Sequence, residues 1–316
     1  MNSKLERVRH AVGSRSDWLE MRRRNVNASD IAALFHANPY KTALELWALH
    51  SGQLQDEDRD SMALRRGRIL ESAVAASLRE THPEWVIEPA GEYVEIPTLR
   101  LGCTPDFYAW PSAEDRRAGA NMFAIQAKTV LEGVYLDEWA AAPPAHYLIQ
   151  VQTEMMVLGI DRILLAPMVL DAREFPVHEW FFKADEEFHA AIDAQVRKFW
   201  RHVEQGIEPQ LKPSQDGSTL ARLFPAPNAE ATLTLHGDGD FVRVCAEHLE
   251  VRARINELEA RKDELGALVM NRLRNHARAE AQDFKVSWTP VPAATVVQNR
   301  KAHRRLTINK VKRKGE

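Results

Sequence analysis

The chain has 316 residues, 45% of them hydrophobic, and a formal net charge of -3 from 42 Lys and Arg against 45 Asp and Glu. That supports a full core in one large or two modest domains, and it excludes an all-over basic coat while leaving room for a local basic channel. Two cysteines are too few for a disulfide framework, a four-cysteine zinc site or an iron–sulfur cluster. There is no apolar run at the N-terminus and nowhere 18 consecutive apolar residues, so the expectation is a cytoplasmic protein with no membrane span.

Residues 14–24 (S-R-S-D-W-L-E-M-R-R-R) predict a short helix capped by Ser16 or Asp17, with Trp18 and Met21 on one face. The following N-V-N-A-S-D-I-A-A-L-F predicts a second helix capped by Ser29 or Asp30. Arg22, Arg23 and Arg24 ahead of a hydroxyl at a helix N-terminus could hold an anion. An ordinary cap beside a solvated basic turn is the simpler reading of those residues alone.

Residues 42–50 predict an amphipathic helix, and 62–80 a long one with Leu64, Leu70, Val74 and Leu78 marking its inward side. Glu71 lies seven residues from both Leu64 and Leu78, on that line. A carboxylate there needs a partner, which is either a metal ion or one of Arg65, Arg66 and Arg68.

Strands are predicted at 85–88, 92–96, 99–103, 106–110 and 122–128, the last two separated by a charged turn over 111–121. Asp106 opens one strand directly after Pro105. Gln126 and Lys128 are two apart in the next, so they leave the same face of the sheet. An acid beside a strand that carries acid-x-Lys is how many nucleases hold Mg²⁺, and here a glutamine stands where one acid is expected.

Pro143-Pro144 precedes a helix over 145–159, on which Tyr147, Gln150 and Glu154 form one stripe. Strands at 161–170 and 176–182 and a helix at 185–205 complete an α/β pattern. Residues 206–238 read as a linker with room for one short helix, and 239–278 as a long charged helix. Its Ile255, Leu258, Leu265 and Leu268 are heptad-like, but Lys262 falls in the seam, so packing on its own body or on a neighbouring subunit is expected rather than a long coiled coil. The chain ends in a basic tail of Arg300, Lys301, Arg304, Arg305, Lys310, Lys312, Arg313 and Lys314, a pattern that is often solvated but strengthens phosphate binding.

Glu71, Asp106, position 126, Lys128 and Gln150, preceded by W-L-E-M-R and N-A-S-D, occur in a familiar order. Over about residues 14–185 the chain resembles the lambda exonuclease and YqaJ-type viral recombinase family, within the restriction-endonuclease-like PD-(D/E)xK nucleases. The resemblance implies an α/β fold with a restriction-endonuclease-like core over 1–210, a central mixed sheet flanked by helices. Residues 211–316 then form a mainly helical extension of linker, long helix and basic tail.

By the same resemblance, Glu71, Asp106 and Gln126 fall on the metal ligands and Lys128 and Gln150 on the other catalytic positions, with Tyr147 and Glu154 supporting. Arg22, Ser29 and Thr104 fall on a 5′-phosphate pocket, where Thr104 replaces a more usual serine and keeps its hydroxyl. The implied activity is 5′→3′ digestion of double-stranded DNA ends, leaving 3′ single strands for an annealing recombinase. It implies two Mg²⁺ per site in the active form, with Mn²⁺ able to substitute, and a homotrimeric ring.

Gln126 is the departure. Its amide oxygen can ligate Mg²⁺ but brings no charge and cannot act as a base, so the expectation is an impaired enzyme. An engineered Glu→Gln change is favoured over a natural nuclease that tolerates glutamine. The runner-up from another class is a protein that binds DNA ends without cutting, and a third reading is a structure-specific endonuclease.

Overall fold

A computed structural model of the chain describes residues 5–55, 61–139, 141–171, 173–226, 232–235, 237–295 and 305–309. Two compact units emerge, Met1–Leu223 and Phe224–Glu316. Of the basic tail only Arg305 falls within the described residues.

The first unit opens with β1 (Val8–Ala11), α1 (Arg15–Arg24) and β2 (Val26–Asn27). The cap of α1 is Ser14, whose side chain accepts from the Asp17 N–H, rather than the expected Ser16 or Asp17. The second helix expected after Ser29 or Asp30 shrinks to a 3-10 turn, Ile31–Ala33, whose cap makes no side-chain bond. A turn this short has no appreciable dipole, so an anion near Ser29 would rely on side chains.

Then come α2 (Ala43–His50), capped by Thr42, and α3 (Met62–Thr81), capped by Ser61. Val74 and Leu78 of α3 are buried as expected, with Ala75 between them, but Leu64 is 56% exposed. The helix leaves the core ahead of Val74, and Glu71 sits at that rim.

The strands that follow are β3 (Val86–Pro89), β4 (Glu92–Ile96), β5 (Leu101–Cys103), β6 (Phe107–Trp110) and β7 (Phe123–Leu131). The charged stretch between β6 and β7 holds a short helix, α4 (Ala113–Ala118), where a plain turn was expected. Ser112 caps it, and Gly119 closes it at a positive φ of 64°. After α5 (Glu132–Val134) and a π-turn at Tyr135–Trp139 come α6 (Ala145–Leu158), β8 (Arg162–Leu170), β9 (Trp180–Lys183), α7 (Glu186–Gln205) and α8 (Gly217–Leu223).

Two sheets result. One has the order β1-β4-β5-β2, and the larger is mixed, β3-β6-β7-β8-β9, with only β7 and β8 parallel. The expected mixed sheet flanked by helices is therefore present. Its strands alternate. Phe107, Ala109, Phe123, Ile125 and Ala127 pack with Val74 and Leu78 of α3, while Tyr108, Trp110, Ala124 and Val130 join a core that includes Ile149 and Met155 of α6. Because side chains alternate with period two, Gln126 and Lys128 lie on the α6 side.

The second unit contains α9 (Gly239–Leu273) and a hairpin, β10 (Arg278–Ala281) with β11 (Phe284–Ser287). Ile255, Leu258, Leu265 and Leu268 on α9 are 47–60% exposed, so the hairpin that follows does not cover them. Among the described residues no helix is long and apolar enough to cross a membrane.

Candidate active site

β6 begins at Phe107, one residue after Asp106, whose side chain takes over where the ladder stops. The last pair of the register is Phe107 with Ile125. Beyond it, Asp106 Oδ2 accepts the Ala127 N–H at 2.9 Å, a donor that the end of the β6 pairing would otherwise leave open. The same oxygen accepts from Gln126 Nε2 at 2.6 Å. Burial pushes the Asp106 carboxyl above its ordinary range, against the pull of Lys128 and these two donors.

Lys128 follows on the same face, its Nζ 5.4 Å from the centre of the Tyr147 ring. Tyr147 lies one turn before Gln150 on α6, and Gln150 Nε2 donates to Glu154 Oε1 at 2.8 Å. Glu154 is 2% exposed. Burial and then the nearby Asp106 raise its carboxyl to about 8, with Lys128 and Gln150 acting in the other direction. Glu71 approaches from α3. Burial and then Asp106 lift it to about 7, opposed by Lys128 and Arg68.

Pairwise hydrogen bonds, the Lys128–Tyr147 contact and electrostatic coupling thus link Glu71, Asp106, Gln126, Lys128, Gln150, Glu154 and Tyr147. Their electrostatics are those of acids crowded without enough positive charge: two carboxyls raised by burial and by a neighbouring acid. Two buried oxygens, Gln126 Oε1 and Glu154 Oε2, have no hydrogen-bond partner among the described residues. A hard cation fits such a donor set. No three His, Cys, Asp or Glu side chains among the described residues are gathered as a ready ion site, so amide oxygen, water or substrate phosphate would complete the shell.

A second group forms around α1. Trp18 Nε1 donates to Thr104 Oγ1 at 2.9 Å, and Arg22 Nη2 donates to Ser29 Oγ at 3.2 Å. The Arg22 guanidinium stands 4.7 Å from the Trp18 ring centre. Arg22 therefore touches Ser29 directly and reaches Thr104 through Trp18, and Thr104 lies two residues before Asp106 in the chain. Beside them opens a cleft of about 400 Å³ lined by Arg22, Arg23, Asn27, Asp30, Lys41 and His50.

Two residues to which the sequence assigned no role in the site hold this group. Trp18 orients Thr104, and its i,i+4 spacing to Arg22 was the available signal. Asn27 is 4% exposed and donates to the Arg22 and Asn25 carbonyls at 3.0 and 3.1 Å, while accepting from Tyr93 Oη. Gly102 lets that tyrosine approach, since a Cβ there would meet Tyr93 Oη at 2.1 Å. Asp30 also escaped notice as a partner of Arg22. It lies 3.9 Å from Arg22 and 2.9 Å from Lys41. Burial would raise its carboxyl, but Lys41 and Arg22 outweigh that and hold it below the ordinary range.

Residues 17–161 match the model of the YqaJ-like viral recombinase domain. Across 301 residues the chain is 25% identical to the uncharacterized protein YqaJ of Bacillus subtilis (strain 168), covering 92% of this chain and 89% of that protein. Among solved structures it is similar to the alkaline exonuclease LHK-Exo of Laribacter hongkongensis, at TM-score 0.48 and 20% identity over 61% of this chain and 94% of that one. A phage-related exonuclease from Haemophilus somnus 129PT matches at TM-score 0.42 and 14% identity, over 58% and 95% of the two chains.

Proposed function

Because residues 17–161 match the model of the YqaJ-like viral recombinase domain, we propose that this chain is a Mg²⁺-dependent deoxyribonuclease that digests double-stranded DNA ends 5′→3′. The observation that carries the reading is the pairing of two groups. Acids and a lysine are linked by hydrogen bonds and electrostatics, and Arg22, Ser29 and Thr104, tied together through Trp18, would take an anion two residues from Asp106 along the chain.

Asp106, Gln126 and Glu71 would hold the ion, which when bound supplies an activated water and neutralises charge on the leaving oxygen. Lys128 projects from the same strand face as Gln126, where its ammonium can stabilise charge growing on the scissile phosphate. Gln150 lies one turn after Tyr147 and orients water or a phosphate oxygen by hydrogen bonding. Arg22, with the Ser29 and Thr104 hydroxyls, would take a terminal 5′-phosphate through charge-assisted bonds. Fixing that end sets which phosphodiester reaches Asp106, which is what exonuclease polarity requires.

The remaining parts of the reading follow the family. The product is a 3′ single strand for an annealing recombinase, and the working form is a homotrimer around the duplex. Gln126 puts an amide where the family has a carboxylate, so the rate rests on the other acids.

The test is digestion of linear duplex carrying a 5′-phosphate, with Mg²⁺, by this chain and by Gln126→Glu. Release of nucleotides from the 5′ end by either form supports the nuclease. If both bind ends and neither cuts, the protein is an end-binder. Cleavage that persists on duplex with blocked 5′ ends marks an endonuclease instead.

A further inference from the structure

Two unsatisfied oxygens at the site belong to different elements: Gln126 Oε1 on β7 and Glu154 Oε2 on α6. Both side chains are at least nine-tenths buried, Gln126 at 4% and Glu154 at 2% exposure. A buried oxygen with no donor is costly, and a buried carboxylate oxygen more so. Gln126 faces Asp106 with its amide nitrogen, which leaves its acceptor end open.

Glu154 is held from one side only. Gln150 donates to Oε1 across one helical turn, fixing the carboxylate on the stripe that carries Tyr147 and Gln150. The other oxygen is free, and the carboxylate lies within electrostatic reach of Asp106 and Lys128. A purely structural acid in an α-helix packed against β5 and β8 would be expected to satisfy both oxygens or to give way to an apolar residue.

The geometry points to Glu154 as the carboxylate that replaces the acid missing at position 126, a ligand of the same divalent cation as Asp106, with Gln126 Oε1 as a neutral donor. Negative charge lost from the strand is thereby returned from the helix. The Asp106 and Glu154 carboxylates and an amide oxygen, completed by Glu71, water and substrate phosphate, make an ordinary hard-cation shell. The inference rests on the nuclease reading of the same site and makes the chain, as it stands, competent to bind its ion.

The experiment is calorimetric titration of Mn²⁺, without DNA, into the full chain and into Gln126→Glu, Glu154→Gln and the swap Gln126→Glu/Glu154→Gln. Glu154→Gln is expected to weaken binding about 10- to 100-fold or more, the range that even outer-shell changes cost at a metal site, and the swap to recover most of it. A structural role for Glu154 would not be rescued by an acid on β7. Equal binding by the parent and Glu154→Gln, or a swap as weak as Glu154→Gln alone, overturns the assignment while leaving the nuclease reading in place. Failure of all four to bind Mn²⁺ overturns both. Circular dichroism of each variant shows whether it is folded, and the folded swap carries the test if Glu154→Gln is not.

Discussion

Gln126 Nε2 donates to Asp106 Oδ2 at 2.6 Å, on the oxygen that also accepts the Ala127 N–H. Asp106 is thereby aimed by two donors before any ion arrives. Asp106→Asn keeps the shape and the Ala127 bond but sets amide against amide and removes the charge. Cleavage is expected to fall to the level seen without divalent cation. Binding to duplex ends should hold or tighten, because a negative group next to the phosphate is gone. Single-turnover digestion and end binding measured in parallel check both parts. Loss of binding equal to the loss of cleavage would point to a folding role.

Lys128 and Tyr147 meet across the site, with the ammonium 5.4 Å from the ring centre. Lys128→Met keeps an unbranched stem against the ring and removes only the charge. If the lysine acts on charge that develops in the transition state, kcat should drop about 10²- to 10³-fold, with KM nearly unchanged. A rise in KM at constant kcat would assign Lys128 to ground-state DNA binding.

The α1 group gives a prediction about ends. Removing the Arg22 guanidinium should cost the 5′-phosphate about 1.5–3 kcal/mol, the range for hydrogen bonds to charged groups. Arg22→Ala should therefore digest phosphorylated and hydroxyl-ended duplex at similar rates, where the parent prefers the phosphate about 10- to 100-fold. Trp18→Phe keeps the ring under Arg22 and loses the N–H that holds Thr104, so it should weaken the preference without abolishing it. A parent indifferent to the 5′-phosphate would remove the end-binding role from Arg22, Ser29 and Thr104.

Much of this site was legible in the sequence because its parts are local. The two-residue spacing of Gln126 and Lys128 and the helical stripe of Tyr147, Gln150 and Glu154 are fixed by backbone periodicity, and both survive in the structure. What could not be read was set by contacts distant in the chain. β1 exists only as a partner of β4, more than 80 residues on. Asn27 matters through Tyr93 and the bare Gly102 beside it. The helix expected after Asp30 was predicted from its cap residues, but Ala37 and Asn38 turn back to the Ala32 carbonyl and end it as a short turn. Leu64 fitted the inward line of α3 by spacing alone, and its exposure shows that periodicity does not say where along a helix the core begins.

The raised carboxyls make cation uptake depend on pH. Glu71 stands at about 7 and Glu154 at about 8, so at neutral pH an incoming ion must displace protons from them. Mn²⁺ affinity is expected to climb from pH 6 to pH 8.5, with protons released on binding. Calorimetry in two buffers of different ionisation enthalpy counts those protons. An affinity flat across that range, with no proton release, would mean that neither acid is a ligand.

His50 carries the last prediction. Its ring meets Trp200 edge-on at 4.9 Å and Phe199 at 5.7 Å. Burial pushes its pKa down to about 4. Lys41 and Arg100 add to that, while Asp30 and a backbone hydrogen bond to Arg23 oppose it. A histidine depressed in the fold adds stability that is fully present above its unfolded value near 6.5 and is lost as pH falls through about 4. The amount is on the order of 3 kcal/mol for a shift of this size. Urea unfolding at pH 7.5 and pH 4.5 gives the difference for the parent, and His50→Gln, which cannot titrate, should show a difference smaller by about that amount. Carboxylates that protonate over the same range do so in both proteins and cancel. If parent and variant lose the same stability between the two pH values, His50 is not held neutral by the aromatic wall that Trp200 and Phe199 build around it.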